Sequence, residues 1–384
     1  MATHSFTIHV PQRTLDDLQE RLARTRWPDS VEQADWEYGT NLEYLKTLVA
    51  YWQDHFDWRA QEARLNQFAQ FRAQIDGFGI HFIHERGQGP HPLPLLLSHG
   101  WPGSFFEMVK ILPLLTDPGS HGGDPADAFD VIVPSLPGFG FSDRPSARGM
   151  TRTTTAELWA HLMTETLGYS RFAAAGGDIG AGITQRLALA HPDLLVGIHL
   201  TFLGSSFLSP DQPDLSEAEQ RYLHAVQQWS QQEGAYAHVH ATKPQTLAYG
   251  LNDSPVGLAA WITEKFRAWS DCDGEVERRF SKDELLTNIM IYWVTETINS
   301  SIRTYYENAH ASSPLAAGQK IEVPAGFALF PKEINTPPRE WAERSLRIQR
   351  WTTMPRGGHF AALEEPELLV EDMRAFFRPW RMAT

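Results

Sequence analysis

Cysteine is nearly missing from this chain: Cys272 is the single one among 384 residues. An intramolecular disulfide and any cysteine-rich metal site are thereby excluded, and a reducing, cytoplasmic setting is expected. Long apolar runs are missing as well, none approaching the roughly 20 residues that a membrane-spanning helix requires. The opening stretch, MATHSFTIHVPQRT, has neither the charged n-region nor the apolar h-region of a signal peptide, so no membrane anchor is expected. Positive charge is also in short supply. Lys and Arg number 33 against 47 Asp and Glu, a net charge of −14 that opposes binding to nucleic-acid backbones or anionic bilayers. A small neutral substrate suits such a surface better. Nothing in the chain fixes its oligomeric state, and a homo-oligomer is compatible with it.

What is present is ordinary for a globular protein, with 42% hydrophobic and 21% charged residues, and an aromatic share of 11% that can line a sizeable apolar pocket. Residues 1–75 read as a helical extension. Thr14 and Asp17 suggest a capping-box start for a helix carrying Leu15, Leu18 and Leu22, ended by Trp27-Pro28, and Leu45, Leu48, Val49 and Trp52 mark a second amphipathic helix. Asp76-Gly77 signals a hairpin turn before Ile80–Ile83. From there strands and helices alternate, as a mostly parallel sheet covered on both faces requires, with clear strands at Leu95–Leu97, Val131–Val133, Phe172–Ala175, Phe327–Phe330 and Ile348–Trp351. Strand signals vanish across 206–314, where Leu258, Ile262, Phe266 and Trp269 recur at helical spacing. The expected architecture is an α/β core in two parts, 76–205 and 315–384, with a helical lid over 206–314.

The most informative motif is FAAAGGDIG, Phe172–Gly180, an apolar strand that breaks into glycines around one acid and is followed by the helical stretch Ala181–Ala190. This is the pattern of a nucleophile elbow, in which Gly176 and Gly180 are needed because side chains there would clash. The nucleophile position holds Asp178 instead of serine. A carboxylate attacks an sp3 carbon to form an alkyl ester, so epoxides and alkyl halides become the natural substrates, and amides and carboxylic esters recede. Taken alone, a GGD triplet is more often an aspartate capping a helix after a glycine turn.

Its company decides the matter. HGWPGS, His99–Ser104, follows the first strong strand, where the N–H groups of Trp101 and Ile179 would form an oxyanion hole; by itself it is a tight turn, with Pro102 in cis as one form. His359, in RGGHF, is the last of 16 histidines and completes the chain order nucleophile, acid, histidine. Glu333, in FPKE, follows the preceding strand, whereas Glu364 and Glu365 stand before Pro366, where acids favour a helix N-terminus. His238 and His240 would need a strand and further ligands to hold a metal, so they read as structural, and neither metal nor organic cofactor is expected. A breaking epoxide C–O bond needs a hydrogen-bond donor. Composition leaves Tyr222, Tyr236, Tyr249, Tyr292, Tyr305 and Tyr306 all open.

Together these motifs resemble the α/β-hydrolase-fold epoxide hydrolases, in particular the microsomal-type branch with its N-terminal helical extension, in a soluble, bacterial-like form. The likeness runs over nearly the whole chain, through HGWPGS, GGDIG, GAYAHVHATKPQTLAYGLNDSPVGLAAW (Gly234–Trp261), SIRTYYEN (Ser301–Asn308), FPKE and RGGHFAALEEPE. The resemblance implies Asp178 as nucleophile, Glu333 and His359 as the water-activating pair, and Tyr236 with Tyr305 as donors to the epoxide oxygen, Tyr306 being the neighbour most easily confused with Tyr305. It implies conversion of an epoxide and water to a vicinal diol. A haloalkane or haloacid dehalogenase would share the aspartyl ester, but such enzymes commonly place tryptophan where this chain has Ile179. A catalytically silent ligand-binding protein of the same fold is disfavoured by the intact nucleophile, acid and base.

Overall fold

The runs LPLLLS, FDVIVP, FAAAG and LVGIHL carry almost no polar alternation, the pattern of strands covered on both faces. In the computed structural model, which describes residues 3–204, 208–209, 211–311, 315 and 319–383, they form the centre of a nine-stranded sheet. In chain order the strands are β1 (Thr3–Ser5), β2 (Gln70–Ile75), β3 (Phe78–Glu85), β4 (Leu93–Ser98), β5 (Phe129–Pro134), β6 (Phe172–Gly176), β7 (Leu195–Leu200), β8 (Ile321–Leu329) and β9 (Leu346–Thr353). Across the sheet the order is β1-β2-β3-β5-β4-β6-β7-β8-β9. The edge from β1 to β5 is antiparallel, and everything from β5 to β9 is parallel. Helices Arg152–His161 and Asp178–Ala190 pack on one side, and Ile111–Thr116 with Pro366–Phe377 on the other. The buried pair His199–Asp372, 2.8 Å apart, ties β7 to that last helix, and Asp372 also accepts from Arg350 and Thr352 of β9.

The anticipated strands all appear, and Asp76 and Gly77 form a two-residue turn with φ of +50° and +85° that pairs Ile75 with Phe78. Two expectations need correction. Residues 1–75 are not helical throughout, because β1 and β2 extend the sheet edge, so a boundary at 75/76 would cut a hydrogen-bonded hairpin. The first helix spans Gln12–Ala23 with Pro11 at its N-cap and no side-chain cap, so Thr14 lies inside the first turn and forms no capping box. Proline's fixed φ lets the helix start there without a side-chain acceptor. The strand β7 was not anticipated at all. Helix Leu42–Asp54 buries Leu45, Leu48, Val49 and Trp52, as its spacing predicts.

Between β7 and β8 every regular element among the described residues is a helix. These include Ala235–Thr242, Pro255–Ala268, Lys282–Thr295 and Ile298–Ala311, and Leu258, Ile262 and Phe266 are buried. The boundaries expected at 205/206 and at 314 lie outside the described residues.

The tightest approach of a described glycine to other main chain is at Gly180, where a Cβ would sit 2.0 Å from the Ser98 carbonyl oxygen; at Gly176 it would meet the Gly180 backbone at 2.6 Å. Gly180→Ala is therefore expected to destabilise by about 3 kcal/mol in urea unfolding, since main chain must move. Gly250→Ala, on the exposed face of a helix with no atom within 4 Å, should stabilise by about 0.5–1 kcal/mol. Equal stability of Gly180→Ala and the parent would contradict the packing described.

Candidate active site

Strand β6 ends in Gly176, and helix Asp178–Ala190 begins two residues later. Asp178 adopts φ of +46°, a left-handed conformation that costs a residue bearing a side chain about 1–2 kcal/mol. The turn is sharp enough that the carboxylate stands above the sheet edge, at the positive end of the helix dipole. Gly100 lies directly against it; a Cβ there would be 2.3 Å from Asp178 Oδ1. The Trp101 N–H donates to that same Oδ1 at 2.8 Å. Ile179 occupies the first turn of the helix, where backbone N–H groups have no intrahelical partner.

The loop that presents Trp101 is held by Leu136 and by helix Lys282–Thr295. Leu136 N–H donates to His99 Nε2 at 3.2 Å, Asn288 Nδ2 donates to the Pro102 carbonyl at 2.8 Å, and the Tyr292 hydroxyl donates to the Gly103 carbonyl at 2.5 Å. The Trp101–Pro102 peptide is cis. Because the Tyr292 hydroxyl is committed to this loop, it leaves the set of free donors. Tyr222 packs on Trp341, Tyr249 is exposed, and Tyr306 stacks on His310. The remaining two face the site: Trp101 is stacked against Tyr236, with ring centroids 5.4 Å apart, and meets Tyr305 edge-on at 5.9 Å. Burial and the Asp178 charge hold both phenols above their ordinary acidity range, in Tyr305 with Tyr236 as a further cause.

His359 follows β9, and Glu333 follows β8. Glu333 Oε1 accepts from His359 Nδ1 at 2.5 Å, and His359 Nε2 lies 3.8 Å from Asp178 Oδ2. Burial opposes a charge on His359, but the carboxylates of Glu333 and Asp178 outweigh it and raise the imidazole to about 9. Glu364 and Glu365 are occupied elsewhere. Glu364 accepts backbone N–H groups of Asp271, Gly358 and Phe360, and Glu365 pairs with Arg279 and Arg356. His238 and His240 lie on a helix, not a strand; His238 is exposed and His240 buried, so they face apart.

Sequence reasoning missed Glu107. Burial raises its carboxyl to about 8, and it shares a cavity of about 40 Å³ with His359, Gly177, Thr201 and His199. Its walls are otherwise largely apolar, but these polar groups give a water in a cavity of that size hydrogen-bond partners. The available signal was an acid inside the apolar run FFEMV just after HGWPGS. Arg152 was also missed; its side chain crosses Gly182, and it lines a cavity of about 30 Å³ with Asp178 and Asn308.

Two family models match the chain: one described as Epoxide hydrolase N terminus over residues 3–108, and one described as alpha/beta hydrolase fold over residues 94–266. A Stigmatella aurantiaca protein carrying the provisional name of epoxide hydrolase is 47% identical, covering 98% of this chain and 85% of its own length. Epoxide hydrolase 1 of Oryctolagus cuniculus is 40% identical, covering 97% of this chain and 88% of its own. The solved structure of Aspergillus niger epoxide hydrolase aligns with a TM-score of 0.86 at 32% identity, over 99% of this chain and 97% of that one.

The raised pKa of His359 depends on the anions around it. Removing one of them destabilises the imidazolium, so its pKa must fall. Asp178→Asn is expected to move the His359 NMR titration below about 9, and Glu333→Gln to do the same. An imidazole that titrates at the parental pH in both variants would refute this coupling.

Proposed function

The chain belongs to the epoxide hydrolases of the α/β-hydrolase fold, and from that premise we propose that it acts on small, neutral epoxides through a covalent ester on Asp178. The observation that carries this reading is a single carboxylate at the elbow, with a backbone N–H 2.8 Å from Oδ1 and His359 Nε2 3.8 Å from Oδ2. Oδ2 attacks a ring carbon, while Oδ1 stays with the Trp101 and Ile179 N–H groups. The hydroxyls of Tyr236 and Tyr305 donate to the epoxide oxygen, one of them passing it a proton as the C–O bond breaks. A hydroxyalkyl ester results.

Ester formation discharges Asp178, and one of the anions that keep His359 protonated disappears. His359 then gives up its proton to the tyrosinate and becomes the neutral base for the second half-reaction. Glu333 orients the imidazole. The protonated carboxyl of Glu107, on the same small cavity, positions the water that His359 activates for attack at the Asp178 ester carbonyl, and the Trp101 and Ile179 N–H groups receive the developing oxyanion. The diol oxygen leaves with a proton from His359, and the regenerated acid of Asp178 returns one to His359. Each turnover therefore restores Asp178 as carboxylate and His359 as imidazolium, with no cofactor in the scheme.

The buried Cys272, without a disulfide, suits a reducing cytoplasm, which is the location we assign. Among the described residues no helix is long and apolar enough to cross a membrane.

Ring opening needs no base, so His359→Gln should still form the ester and fail to release it. Intact-mass measurement after mixing with styrene oxide is expected to find the protein heavier by one epoxide; an unmodified mass at every time point would count against the scheme. Tyr236→Phe and Tyr305→Phe should each slow ester formation on the order of 10²-fold, followed by quenching of tryptophan fluorescence, since each removes a donor acting in a water-excluded site. Tyr306→Phe should change little. A crippled Tyr306→Phe beside a normal Tyr305→Phe would reverse the assignment of these neighbours.

A further inference from the structure

Lysine is rarely buried, because its ammonium is strongly hydrated and must find compensation when water is removed. Lys265 has a side chain only 7% exposed, on the helix Pro255–Ala268. It is ion-paired with the adjacent Glu264. Its Nζ lies 4.7 Å from the centroid of the Tyr236 ring, over the ring, and 5.7 Å from that of Trp269. Trp101 is meanwhile stacked on Tyr236 with 12° between the ring planes. The phenol is thus in contact at once with an ammonium and with the indole whose backbone N–H holds Asp178.

A cation over a neutral phenol is attracted by the ring quadrupole alone. The attraction grows when the phenol loses its proton, because the negative charge of a phenolate spreads into the ring. It is therefore an interaction stronger in the transition state than in the resting enzyme, the condition for an effect on rate. The two hydroxyls are not equivalent either. The Lys265 ammonium lies over the Tyr236 ring, whereas the Arg152 charge favours an anion on Tyr305, and the Glu264 carboxylate that pairs with Lys265 opposes one on Tyr236.

We propose that Lys265 is a positioning residue for ring opening: its ammonium, held over the Tyr236 ring, makes Tyr236 the tyrosine that passes its proton to the epoxide oxygen. The inference rests on the roles given above to Asp178 and the lid tyrosines. As Asp178 Oδ2 forms its bond to carbon, the epoxide C–O bond breaks and its electron pair stays on oxygen. The Tyr236 Oη proton moves to that oxygen. The phenolate left behind, under Lys265 and beside the Tyr305 hydroxyl, is reprotonated from His359 before water is activated.

The test is the rate of ester formation in single turnovers of the full-length protein with styrene oxide. Lys265→Met, Lys265→Gln and Lys265→Arg are compared in the parent, in Tyr236→Phe and in Tyr305→Phe. The two neutral variants should slow ester formation roughly tenfold, and arginine, which keeps a cation over the ring, should restore it to within about threefold of the parent. In Tyr236→Phe the neutral variants should cost nothing more, whereas in Tyr305→Phe the loss should persist. A lysine that only fastens the two helices together would slow all three backgrounds alike. Wild-type rates in Lys265→Met and Lys265→Gln, or an equal loss in the Tyr236→Phe background, would overturn the inference; should the methionine variant not fold, the closer-sized glutamine variant decides alone. Wild-type ester formation by Tyr236→Phe itself would overturn the underlying reading and the inference with it.

Discussion

The contact on which the site depends is made of backbone alone: the Cα of Gly180 against the carbonyl of Ser98, with no room for a methyl group between them. That approach lets helix Asp178–Ala190 start immediately beyond β6, and it forces Asp178 into a left-handed conformation. A residue so placed projects from the turn, towards the loop after β4 that carries Trp101. The conformational cost is carried by the parallel pairing of β4 with β6 and of β6 with β7, which fixes both ends of the turn. Loosening this contact would leave the carboxylate present in sequence but unaimed.

Above that frame the site is governed by charge. Two carboxylates, Asp178 and Glu333, flank one imidazole, and their combined field holds it protonated against the penalty of burial. A histidine charged at rest is a poor base. In the proposed scheme it becomes a good one only after Asp178 has been alkylated, so the first chemical step would prepare the second. The lid supplies the other sign, since the Lys265 ammonium lies over the ring of a tyrosine whose hydroxyl must tolerate negative charge. In that scheme the core serves the hydrolytic half of the cycle, and the lid serves ring opening.

The parts of this site legible in sequence are those encoded by local backbone demands. GGDIG announces a turn that only glycines permit, and HGWPGS and RGGHF do the same at neighbouring strand ends, so Asp178, Trp101 and His359 could be named from spacing. Glu333 could be named from chain order after β8. The two tyrosines could not be chosen from composition; resemblance to a family selected them, and of the neighbours Tyr305 packs against Trp101 while Tyr306 stacks on His310. Glu107 and Lys265 escaped because their significance lies in burial, which arises only when distant segments close over them. The strand β7 escaped for a related reason, as LVGIHL is too short a run to announce whether it is helix or strand. The capping box failed because Thr14-x-x-Asp17 imitates a helix start that Pro11 already provides.

The central claim is that Asp178 forms a covalent bond to substrate and that water then attacks the carboxyl carbon. A single turnover in heavy-oxygen water, with enzyme in excess over styrene oxide, addresses it directly. The oxygen added to the substrate should come from Asp178 in that first turnover, so the diol should be unlabelled and the peptide bearing Asp178 should gain the heavy isotope. Solvent oxygen in the first-turnover diol, with an unlabelled Asp178 peptide, would mean that water attacks the epoxide directly and would contradict the account.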